Sequence, residues 1–133
     1  MTRDALAKHV GDLTDAVLAD ARWRQDDLSV TILGMLMYGY ALAIGRIVMF
    51  LDTPDIDAAV LRCMTQHVGA AAKWSGGLVA AASAAAFDQA HHPGHHELIG
   101  IGHSYFGVED RATVVESVFT NIASVRRQAG RGS

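Results

Sequence analysis

Residues 26–51, DDLSVTILGMLMYGYALAIGRIVMFL, decide the fold. No charged side chain occurs from Leu28 to Gly45, and apolar residues fall on every side of a helical wheel. A helix that is apolar all round is the buried centre of a compact fold or a membrane span. Its length suits a span of about 20 residues. Three glycines (Gly34, Gly39, Gly45) dilute it, Arg46 interrupts its end, and no flanking loop carries a Lys/Arg excess to orient it. The flanking helices are amphipathic and need a partner for their apolar faces. We therefore read residues 28–51 as a buried central helix, capped by Asp26 or Asp27. Glycine costs a helix roughly 0.5–1 kcal/mol relative to alanine, so three of them imply close approach by more than one neighbour.

Upstream, residues 2–24 read as a helix with Leu6, Val10, Leu13 and Val17 on one face. Trp23 is expected at the core edge. Downstream, Asp52-Thr53-Pro54 marks a helix start, with Thr53 as N-cap and Pro54 at the first helical position. One stripe then runs through Val60, Met64, His67, Ala71 and Trp74. Gly76-Gly77 ends or kinks this helix. Residues 78–90 form an alanine-rich helix. Glu109 and Asp110 open a last helix with Val115, Phe119, Ile122 and Val125 on its apolar face, and Gly130 is its expected stop. Residues 130–133 are read as a mobile tail. The expected fold is all-α, a single-domain bundle of four to five helices spanning residues 1–133.

The 133-residue chain is 50% hydrophobic and 19% charged, with a net charge of −3. It is long enough for a real core and has no basic footprint for nucleic acid. The opening MTRDALAKHVGD lacks the apolar stretch of a secretory leader. Cys63 is the single cysteine; without a catalytic partner at motif spacing it reads as a small hydrophobe. His67 reads as a packed, hydrogen-bonded core histidine.

The chemically distinctive stretch is HHPGHHELIGIGH, residues 91–103, which holds five of the seven histidines. Pro93-Gly94 is read as a turn that folds the pair His91 and His92 toward His95 and His96. Imidazoles so placed, with Glu97 and with His103 or His67, supply the three or four ligands that zinc, nickel or copper takes. The spacing matches neither HExxH nor the Glu-x-x-His repeats of di-metal bundles. The plainer reading is a solvated, histidine-rich loop. ELIGIGHSYFG, residues 97–107, has no definite form on sequence. Tyr105 stands where a dinucleotide fingerprint needs its third glycine.

No catalytic constellation emerges, so enzyme activity is not expected. The leading expectation is a small, non-enzymatic interaction or regulatory protein: an adaptor, an inhibitor or an immunity-type binder. It is expected to be cytoplasmic and homo-oligomeric, without cofactor, nucleic-acid partner or membrane association. The oligomer rests on a mean hydropathy of +0.19, high for a small chain with much surface per volume. The alternative is a metal-binding protein or metalloenzyme built on His91, His92, His95, His96, Glu97 and His103.

Overall fold

A computed structural model of the chain describes residues 3–131, save the side chain of the last. The fold is all-α, with no strand among the described residues. Among the described residues six α-helices form rather than four or five: α1 (Arg3–Leu18), α2 (Asp27–Ala43), α3 (Thr53–Gln66), α4 (Ala72–Phe87), α5 (Pro93–Ser104) and α6 (Arg111–Arg131). A π-helical turn, Ile44–Val48, extends α2, and a short 3-10 turn, Tyr105–Gly107, follows α5.

Helix α2 is the centre. Leu33, Met35, Leu36, Met37 and Tyr38 are fully buried, and all five other helices pack on α2. The segment Asp27–Val48 is long and apolar enough to cross a membrane, but 83% of its most apolar window is buried inside the fold. Most of its apolar surface is covered by the surrounding helices. Asp26 is the N-cap, accepting from the Ser29 amide at 2.8 Å. Arg126 of α6 reaches the same carboxylate at 3.0 Å. These bonds hold the Asp26 carboxyl below the usual carboxylate range, the Ser29 amide contributing most.

The three glycines of the central segment each meet a different helix, as their spacing implies. A Cβ on Gly34 would stand 2.5 Å from Leu78 of α4, and one on Gly45 would stand 2.7 Å from Ile56 of α3. Gly39 is tighter still: its Cβ would run into the backbone carbonyl of Ile99 in α5. Gly102 of α5 repeats this against the Leu36 carbonyl of α2. Helices α2 and α5 thus cross backbone to backbone, each supplying a glycine to the other.

Around α2 the remaining helices follow the order α6, α1, α3, α4, α5, each packed on the next. Helices α5 and α6 pack little on each other, and the ring is open between them. The opening closes at one end, where the Tyr105 hydroxyl meets Ser117 Oγ at 2.8 Å. Burial pushes the Tyr105 hydroxyl pKa upward. Elsewhere polar pairs stitch the core: Thr14 of α1 to Cys63 of α3 at 3.2 Å, and Tyr38 of α2 to Asp57 of α3 at 2.5 Å. Burial pushes the Cys63 thiol up to about 11, which suits the expected inert, buried cysteine. Trp23 lies at the core edge as expected and donates to Gln25 at 2.9 Å.

Several boundaries differ from the sequence reading. Helix α1 stops at Leu18 because Arg22 folds back on Asp20, with both its amide and its guanidinium 2.9 Å from that carboxylate. Asp52, not Thr53, is the N-cap of α3. The stripe through Ala71 and Trp74 is not one helix. Gly69 takes φ +79°, and the Val68 and Ala70 amides turn back to the Cys63 and Met64 carbonyls, ending α3. Gly76-Gly77 neither ends nor separates a helix; both lie inside α4, where an added Cβ would meet nothing within 4 Å. Helix α6 continues through Gly130 to Arg131, and the rest of the expected mobile tail lies outside the described residues.

Candidate functional site

The histidine stretch is mostly helix rather than loop. His92 is the N-cap of α5, its Nδ1 accepting the His95 amide at 3.0 Å, and Pro93 occupies the first helical turn. Pro93-Gly94 therefore starts a helix, and of the two histidine pairs it brings His92 against His95. The rings of His92 and His95 stack with centroids 3.4 Å apart and planes 9° from parallel. Stacked imidazoles do not converge their lone pairs on one point, as a tetrahedral ion requires. His96 places Nδ1 2.8 Å from the Ala85 carbonyl of α4. His91 is exposed in the preceding turn, and Glu97 is exposed one position beyond His96. His103 lies at the other end of α5, about 16 Å along its axis from His92. His67 faces α1, with Nδ1 2.8 Å from Asp15 and its ring against Gly11. Among the described residues no three His, Cys, Asp or Glu side chains form a metal-holding group.

What the stretch does build is one wall of a groove of about 550 Å³, the opening between α5 and α6. Helix α2 provides the floor, with Leu28, Thr31 and Ile32, and Asp27 at its rim. Helix α5 contributes His92, His95, Leu98, Ile101 and, at the rim, Glu97. Helix α6 contributes Asn121, Ser124, Val125 and Gln128. The spacing on α6 is helical, so amides and a hydroxyl share one face with Val125. That polar stripe beside an apolar one was the sequence signal for the groove. Burial, then His92 and His91, lower the His95 pKa and keep its ring neutral.

A second surface lies at the far end of α2, about 25 Å away along the helix. The π-helical turn keeps Ile44 and Gly45 buried while Arg46, Ile47 and Val48 swing outward. The Met49 amide returns to the Ile44 carbonyl at 3.1 Å, and the Leu51 amide to that of Gly45 at 2.8 Å. Between them Phe50 takes φ +56° and stands 84% exposed. A left-handed backbone costs an ordinary residue roughly 1–2 kcal/mol. Ile47 and Val48 are about half exposed, and so is Phe87, over which the Arg46 guanidinium sits at 5.7 Å. On sequence, residues 28–51 read as one buried helix, without an exposed apolar knuckle at its end. The signal was Arg46 in the last turns of an otherwise uncharged run.

Comparison with protein-family models, curated proteins and solved structures returned no match for this chain.

Proposed function

We propose that this is a non-enzymatic interaction protein that works as a homo-oligomer, a second copy docking on the knuckle formed by Ile47, Val48, Phe50 and Phe87. The observation that carries the reading is Phe50: a large aromatic, 84% exposed, on a strained backbone. Bulky apolar groups held in strained, solvent-facing positions lower a monomer's stability, and strain of this kind clusters at functional positions. π-helical turns are likewise frequent at such sites.

The rim favours self-association over an unrelated partner. Arg46 and Asp52 flank Phe50, both exposed, and neither has an ion-pair partner among the described residues. A two-fold interface brings each patch against its own copy, so Arg46 of one chain can meet Asp52 of the other. The test is light scattering on a charge-swap pair. Arg46→Asp and Asp52→Arg should each weaken association about tenfold or more, and the double variant should restore it. A double variant no better than either single one would remove the two-fold pairing from the account. Regulatory action belongs to the same proposal, supported by the mild acidity, and so does cytoplasmic location, supported by the single cysteine, Cys63, which is free and buried.

A further inference from the structure

We infer that the groove between α5 and α6 is a binding site for a small amphipathic amine: an ammonium group on a compact apolar body. This site is separate from the knuckle and does not depend on it. Its volume of about 550 Å³ falls within the roughly 300–1,000 Å³ of small-molecule pockets. Leu28, Ile32, Leu98, Ile101 and Val125 give it an apolar floor and walls.

The charge of the ligand follows from the rim. Asp27 and Glu97 both line the groove, on α2 and α5, and no Lys or Arg does. Neither carboxylate has an ion-pair partner among the described residues. Two effects compete here, because the N-termini of α2 and α5 both open nearby and favour anions. Each helix end is worth about half a positive charge. Two full carboxylates outweigh two half charges, and each helix end already carries a side-chain cap. The Ser29 amide is bound by Asp26, and the His95 amide by His92. The neutral His95 ring adds no positive charge against an ammonium. Asn121, Ser124 and Gln128 offer uncharged hydrogen-bonding groups around the ligand's polar end.

The test is a matched series with one apolar body and three head groups: hexylamine, 1-hexanol and hexanoate, titrated into the full chain at neutral pH. Amide chemical shifts report the site of binding. Hexylamine should bind at least tenfold tighter than hexanoate, and its shifts should map to α5, α6 and the first turns of α2. The double variant Asp27→Asn with Glu97→Gln should lose that preference while still binding 1-hexanol. Equal or tighter binding of hexanoate would overturn the inference. So would hexylamine shifts lying elsewhere, or an unchanged preference in the double variant. Glu97→Gln alone serves as a second variant that leaves the first turn of α2 intact, and it should show a partial loss.

Discussion

Glycines that look alike in sequence differ sharply in what surrounds them. Gly39 and Gly102 stand where an added methyl would strike the backbone of the crossing helix, which cannot withdraw as a flexible side chain does. Gly39→Ala and Gly102→Ala should each cost about 3 kcal/mol or more, read by urea denaturation. Gly100→Ala, two residues from Gly102 on the opposite face of α5 and facing open space, should instead gain about 0.5–1 kcal/mol. A mild loss at Gly39 or Gly102 would mean that α2 and α5 do not cross there. Ser75 offers a second check. Its hydroxyl is the one buried side-chain polar atom without a partner among the described residues. Ser75→Ala should stabilise the fold by about 1 kcal/mol, because an unmade buried hydrogen bond is costly. A destabilised Ser75→Ala would reveal a bond the geometry lacks.

At the scale of elements, the central helix was legible because uncharged, apolar residues on every side leave few options for a segment of that length. The apolar stripe of α1 and the acidic start of α6 were equally plain. At the latter, Asp110 accepts from the Ala112 amide at 3.1 Å. What misled was punctuation. Gly76-Gly77 resembles a break, yet α4 runs through it, supported by the alanines that follow. Gly69, a single glycine in TQHVGAAA, closes off α3 because, of the described glycines, it is the one that takes a left-handed backbone. The groove and histidine stretch were legible in composition but not in form. Pro93 can open a helix as readily as a turn, and only the capping His92 distinguishes the two.

Helix α5 is sensitive to pH through His95, whose pKa burial and the neighbouring His92 and His91 lower from its ordinary value of 6.5. A group whose folded pKa is depressed contributes stability present above its unfolded pKa and lost as pH falls through its folded pKa. Stability should therefore fall as pH drops below about 6.5. His95→Gln removes the titrating ring, so its thermal midpoint should fall less over the same range. An equal fall in wild type and variant would mean that the fold does not depress His95.

For the molecule as a whole, five helices enclose the very apolar α2 and leave two features uncovered at opposite ends of it. One is a gap in the ring, polar at the rim and apolar at the floor. The other is the knuckle, which the fold holds outward at a cost in backbone strain. The π-helical turn links the two scales. It adds one residue per turn where α2 leaves the core, and so turns Ile47, Val48 and Phe50 from core into surface. The most direct measurement of the central claim is sedimentation equilibrium of wild type beside Phe50→Asn. Asparagine tolerates the left-handed backbone, so the fold should be kept or slightly stabilised while the aromatic contact is lost. The account predicts a concentration-dependent oligomer for wild type and a folded monomer for the variant. A wild-type monomer at every concentration, or a variant that associates as strongly as wild type, would contradict it.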